Sequence, residues 1–199
     1  MRKTSGSLVI LLVSAVLTLL PSCGSGLSEK KMAWLADGRW VCGIDDGEYF
    51  GKQTLSFGKN GDFLQYDDLT FSSEDSGFDF EMGVRVVNEG RWEIAGDSLY
   101  ICYSGEKLNI VPDVASFVVR TVTADLEVNE EVKQGMGNQL KDFIDNDMKQ
   151  KYEVLSGRRL FLGRIREITP KTLTIKQADV YLILNNTGSL FQGSHPSGG

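Results

Sequence analysis

The sequence predicts a mainly β protein, an antiparallel meander closed into a small barrel with one long amphipathic helix inserted before the last strands. Three observations carry that expectation. Period-two alternation dominates from Gly38 to Thr123, and is clearest where Phe78, Phe80, Met82, Val84 and Val86 are separated by Asp79, Glu81 and Arg85. Turn signals such as Asn60-Gly61 and Ala95-Gly96-Asp97 punctuate the alternation. The period then changes: Val132, Met136, Leu140, Phe143, Ile144, Met148, Tyr152 and Leu155 recur at spacings of three and four, one apolar stripe on a helix. About nine or ten short strands in sequential hairpins would leave exposed edges in an open sheet, and closure removes them.

Taken in order, residues 28–37 contain Met32, Trp34 and Leu35 and read as a short helix lying across a barrel end. Gly38 to Ile44 is the first strand, Tyr49 to Phe57 the second, and Asp62 to Tyr66 the return arm of the Asn60-Gly61 hairpin. Asp67 to Gly77 is polar and acidic and reads as a loop, followed by separate strands at 78–86 and 90–94. Strands are expected again at 99–104 and 116–123. Asn129 is a candidate N-cap for the helix, with Glu130 and Glu131 in its first turn and Gly157 at its stop. Gly135 and Gly137 weaken its first turns by about 1 kcal/mol each, so the helix can start as late as residue 138. Three strands at 159–167, 171–177 and 179–184 complete the domain, and the Gly/Ser-rich remainder reads as disordered.

The N-terminus carries a different message. Met1-Arg2-Lys3 precedes an apolar run from Leu8 to Leu20, the arrangement of a secretory signal. The run is shorter than the roughly 20 residues a spanning helix takes. It ends Leu20-Pro21-Ser22-Cys23, which resembles the lipobox of bacterial lipoproteins, with Pro21 in place of the usual small residue. That resemblance implies cleavage before Cys23 and a membrane anchor built on its sulfur, palmitate among the acyl chains. Gly24 follows the cysteine where inner-membrane retention is associated with aspartate, so the outer membrane is the expected destination. The expected organisation is then a signal peptide at 1–22, the lipidated cysteine and tether at 23–37, a barrel domain at 38–185 and a tail at 186–199.

A second resemblance rests on looser pieces: Gly38-Arg39-Trp40 at the head of the first strand, the Phe57 to Phe63 hairpin, the pair Gly90-Arg91-Trp92-Glu93-Ile94 and Leu99-Tyr100-Ile101, and the closing Ile168 to Ile175 segment. Together these resemble the lipocalin-like, calycin-type lipoproteins of Gram-negative gut bacteria. The helix departs from the lipocalin order, in which the main helix follows the eighth strand. The resemblance implies a barrel whose mouth binds a small apolar or amphipathic ligand, with Trp40 packed at the closed end. Many large inward candidates, among them Leu55, Phe57, Leu99 and Ile101, leave equal room for a filled barrel serving as a structural or protein-interaction module of an envelope complex.

The residues available for chemistry point away from an enzyme. The single histidine, His195, sits in the tail, which leaves a Ser/His/Asp or Cys/His system without its base and zinc without a ligand set. Asp45, Asp46 and Glu48 on one loop and Asp67, Asp68, Glu74 and Asp75 on another could supply a carboxylate pair or calcium ligands, but solvated loop charge is the commoner role. No Gly-rich phosphate motif precedes a helix, and no cofactor is implied. Cys42 and Cys102 fall on opposite strand faces, which favours free thiols over a disulfide. Asn185-Asn186-Thr187 matches a glycosylation sequon that a bacterial lipoprotein does not use. With net charge −6 and no dense basic run, the chain is not a nucleic-acid binder, and its acidity also argues against docking on anionic head groups. The expected contacts are a membrane, through the lipid on Cys23, and either a small apolar ligand or an envelope protein.

Overall fold

The computed structural model describes residues 27–75, 77–121 and 129–188. Nine antiparallel strands form one sheet: β1 (Arg39–Asp45), β2 (Tyr49–Phe57), β3 (Asp62–Asp75), β4 (Phe78–Ala95), β5 (Ser98–Tyr103), β6 (Asn109–Thr121), β7 (Leu160–Ile168), β8 (Thr172–Gln177) and β9 (Val180–Asn186). Helix α1 spans Glu29–Asp37 and helix α2 spans Glu130–Leu155. Eight strands close a barrel in the cyclic order β1-β2-β3-β4-β5-β7-β8-β9, sealed where Trp40 and Val41 pair with Asn186 and Asn185. β6 stands outside that cycle. It pairs with the first half of β4, on the edge that β5 occupies further along.

The reason for this arrangement lies in the length of β3 and β4. Their ladder runs unbroken from Asp62↔Arg91 to Asp75↔Phe78, longer than the barrel needs. The segment expected as a loop at 67–77 is therefore mostly strand, and the strands expected at 78–86 and 90–94 are one. Gly90 does not break it. A Cβ there would lie 2.1 Å from the Cys102 carbonyl oxygen, so this glycine serves the close approach of β4 to β5. β6 likewise begins earlier than the alternation suggests, and it accommodates Pro112 because it is an edge strand.

The overhanging ends of β2, β3 and β4, with β6, present Tyr49, Leu69, Phe71, Met82, Val84, Val86 and Phe117 on one face. Helix α2 covers that face with Ile144 and Met148, producing a second core beside the barrel core. Asn129 caps the helix by accepting from the Val132 amide at 2.8 Å, and Gly157 leaves it at φ 68° while donating to the Tyr103 carbonyl at 3.0 Å. The helix thus starts at Glu130 despite its two glycines. Val132 and Phe143 lie at the margins of the expected stripe and are exposed.

The barrel core is made of Trp40, Leu55, Phe57, Phe63, Trp92, Leu99, Ile101, Leu173, Ile175 and Leu184, all buried. Helix α1 lies across its closed end, where the Trp40 indole donates to the Leu35 carbonyl at 3.0 Å. The Trp92 indole donates to the Gly58 carbonyl at 2.8 Å, so both large aromatics bury without losing a hydrogen bond. Cys42 and Cys102 are free thiols. Asn186 fastens the seam, accepting from the Arg39 amide and donating to the Pro170 carbonyl.

The two helix glycines separate propensity from packing. A Cβ on Gly135 meets nothing within 4 Å, whereas one on Gly137 comes 3.1 Å from the Phe117 ring. Gly135→Ala is expected to raise stability by up to about 1 kcal/mol in urea unfolding. Gly137→Ala is expected to gain less or to lose, because Phe117 must shift.

Candidate functional site

Along the inner face of the first strands, apolar side chains give way at one level to polar ones. The register places Cys42 opposite Gln53, Gln53 opposite Asp67, and Gln65 opposite Asn88. Tyr103 from β5 and Tyr152 from α2 close the group, their rings meeting edge to face at 5.7 Å. The result is a polar belt between the two cores, where the barrel wall passes into the helix-covered overhang. Gln65, Asp67 and Asn88 are 1–2 % exposed.

The hydrogen bonds of the belt converge on Gln65 and Asp67. The Tyr103 hydroxyl donates to Gln65 Oε1 at 2.5 Å, which turns the Gln65 amide nitrogen toward Asp67 Oδ2 at 2.5 Å and the Tyr152 hydroxyl at 2.8 Å. The Tyr152 hydroxyl in turn donates to Asp67 Oδ2 at 3.2 Å. One helix side chain is therefore bonded to two strand side chains inside the molecule. A second link lies at the rim, where the Tyr49 hydroxyl donates to Asp147 Oδ2 at 3.0 Å and Lys151 pairs with the same carboxylate at 3.0 Å.

Burial governs the protonation of the belt. Desolvation raises the Asp67 pKa from 3.8 to about 6, against the lowering effect of Gln65, Gln53 and Tyr152. The Cys42 thiol is pushed up to about 11 by burial and then by the Asp67 charge, so at neutral pH it is protonated and not a nucleophile. Burial, followed by Asp67, also raises Tyr103 and Tyr152, which act as neutral donors. Asp67 Oδ1 and Asn88 Oδ1 find no hydrogen-bond donor at good geometry among the described residues.

The other residues singled out in the sequence fall elsewhere. Asp45 and Asp46 build the β1–β2 turn, accepting from the amides of Gly47, Glu48 and Tyr49, and Gly47 takes φ 95°. One oxygen of each is spent on the backbone of the turn. Among the described residues no group of three or more His, Cys, Asp or Glu side chains is placed to hold a metal ion, and no helix is long and apolar enough to cross a membrane. Cys23 and His195 lie outside the described residues. A surface depression of about 560 Å³ is walled by Asp62, Glu89, Arg91 and Lys107, which pair across it as Arg91–Asp62 and Lys107–Glu89. Two ion pairs span it and it opens to solvent, unlike an enclosed ligand pocket.

Asp67 is the residue that sequence reasoning placed wrongly, among solvated loop carboxylates. The signal was present: Phe63, Gln65, Asp67, Leu69 and Phe71 alternate, so a strand that begins at Asp62 carries Asp67 inward. Local acidity and low strand propensity concealed it.

Comparison of the sequence with protein-family models and with curated proteins returned no match. The candidate site rests on geometry alone.

A carboxyl whose pKa is higher in the folded chain than in the unfolded one disfavours folding only when ionised. Its penalty is absent below pH 4, grows between about pH 4 and 6, and is complete above. A rise from 3.8 to about 6 corresponds to about 3 kcal/mol. Asp67→Asn removes the titration, so in urea unfolding the variant is expected to gain on the wild type by that order between pH 4 and 7, and to show no further relative gain at higher pH.

Proposed function

We propose that this chain is an exported lipoprotein, anchored through Cys23, whose lipocalin-like barrel is filled by its own side chains and works through its outer surfaces as a non-enzymatic interaction module of the cell envelope. The filled interior carries this reading. Trp40, Phe57, Phe63, Leu99, Leu173, Ile175 and Leu184 are at most 2 % exposed, and they occupy the space that a ligand-carrying barrel keeps open. Apolar side chains stand instead on the outside, among them Val180, Tyr181 and Ile183 on β9 and Phe143 and Val154 on α2. The signal-like N-terminus and the Leu20-Pro21-Ser22-Cys23 sequence support anchoring at an envelope membrane, the outer one on the strength of Gly24.

A second reading is favoured by one observation. Asp67 Oδ1 and Asn88 Oδ1 are buried in the belt with no donor at hydrogen-bonding geometry among the described residues, and an amphipathic ligand with a polar head reaching the belt would satisfy them.

Metabolic labelling with a palmitate analogue tests the anchor. The wild-type chain is expected to take up label and Cys23→Ser to take up none; an unlabelled wild type overturns the anchoring. Native mass spectrometry of the chain purified from its own host separates the two readings. Recovery without a bound small molecule, alone or with a stoichiometric protein, is the expected result, whereas a co-purifying amphiphile lost in Asp67→Leu selects the ligand reading.

A further inference from the structure

We infer that the outer face of β7–β9 is a membrane-docking face that lies on anionic phospholipid of the leaflet holding the anchor; the inference rests on the anchoring reading and names the surface the barrel presents. The acidity of the whole chain conceals a segregation of charge. Residues 157–188 carry six Lys or Arg against two Asp or Glu, while the rest of the chain carries fifteen against twenty-five. The average acidity that argues against anionic head groups does not describe this face.

The cations are placed together with apolar groups. Leu173, Ile175 and Leu184 point into the barrel, so the alternate positions of these strands point out. The register sets Arg164 opposite Lys176 and Lys176 opposite Tyr181. Phe161, Arg164, Arg166 and Lys176 border one open depression of about 240 Å³. Phe161, Tyr181 and Ile183 are 42 %, 56 % and 58 % exposed, which in water is a poor use of large side chains. Arg164 and Arg166 have no carboxylate at ion-pair distance among the described residues, unlike Arg91, Arg120 and Arg159 elsewhere on the surface. Lys176 lies over the Tyr181 ring at 5.4 Å, which leaves its ammonium free on the outer side. Paired cations with Tyr and Phe at one level suit the head-group region, where aromatic rings settle and basic side chains meet phosphate.

The anchor delivers this face to the membrane. Leu27 packs against the barrel core at the closed end, and α1 rests on β2 and β7. Leu27 follows Cys23 by four positions, a reach of at most about 14 Å. So short a tether holds the barrel against the bilayer, and the acidic remainder of its surface is repelled by anionic lipid. The β7–β9 flank starts beside α1 at Thr172 and Asn186 and runs to Lys176 and Tyr181 at its far end, so a barrel lying on this side brings the anchor and the cations to one surface.

The test uses the full-length chain carrying Tyr181→Trp, produced in an exporting bacterium and reconstituted with its anchor into vesicles containing brominated acyl chains. One set is phosphatidylcholine alone and the other includes phosphatidylglycerol; quenching is read as the difference from the wild type, which has Trp34, Trp40 and Trp92. Several-fold stronger quenching is expected in the anionic vesicles, lost at high salt and lost on adding Arg164→Glu, Arg166→Glu and Lys176→Glu, while the protein stays with the vesicles. Equal quenching in both sets, or quenching unchanged by the charge reversals, overturns the docking face. Should the triple reversal misfold by circular dichroism, Arg164→Gln with Arg166→Gln replaces it, with a partial loss expected. Intact mass reports the anchor separately: a chain without acyl groups refutes the anchoring, and quenching of protein that co-floats at low salt then still decides the face.

Discussion

The structure depends on the unbroken ladder between β3 and β4. Once these strands pair over fourteen residues a side, their inner faces extend past the closed barrel and leave a row of large apolar side chains without a partner. Water will not keep Leu69, Phe71, Met82, Val84 and Val86 exposed together at a cost of about 1.5–3 kcal/mol each. The long helix answers that requirement. β6 widens the platform it lies on, and its placement between β6 and β7 returns the chain to the barrel edge where β7 must pair with β5.

The polar belt stands where the two cores meet and ties one to the other. Tyr152 brings the helix into hydrogen bonding with Gln65 and Asp67, and Tyr103 holds Gln65 in the orientation that makes this work. A belt of this kind carries a cost, since Asp67 is ionised in a buried place at neutral pH and one of its oxygens is poorly served. What it provides is register. An inward Asp, Gln and Asn at matching positions on β3 and β4 would all face solvent or all be mispaired after a slip of one residue.

Much of this was legible in the sequence, and the failures have a common cause. Alternation and turn chemistry revealed β1, β2, β5 and the last three strands to within one or two residues, and the three-four stripe revealed α2 with its cap and stop. The same local signals misled where tertiary packing overrides them. Asp67, Asp68, Glu74 and Asp75 read as loop because acidic residues are poor strand formers, yet a long partner strand holds them in a ladder. The strands at 78–86 and 90–94 read as two because the alternation lapses at 87–89, yet they are one, and Gly90 within it lets β5 approach. Gly135 and Gly137 read as delaying the helix, which the apolar face beneath it outweighs. The belt could not be read from propensity at all, since its members come from six different elements. The cationic flank was hidden for another reason: its charges are spread along three strands and only the register gathers them.

The central claim is that barrel, overhang and helix form one cooperative unit joined through the belt. Native-state hydrogen exchange across a denaturant series tests it most directly. The account predicts that the amides of Ile144 and Met148 in α2, those of Leu69 and Val84 in the overhang, and those of Leu99 and Ile175 in the barrel all converge on the same opening free energy. Exchange of the α2 amides through a smaller, separate opening, with the barrel amides still protected, would contradict it and identify the helix as an independent lid.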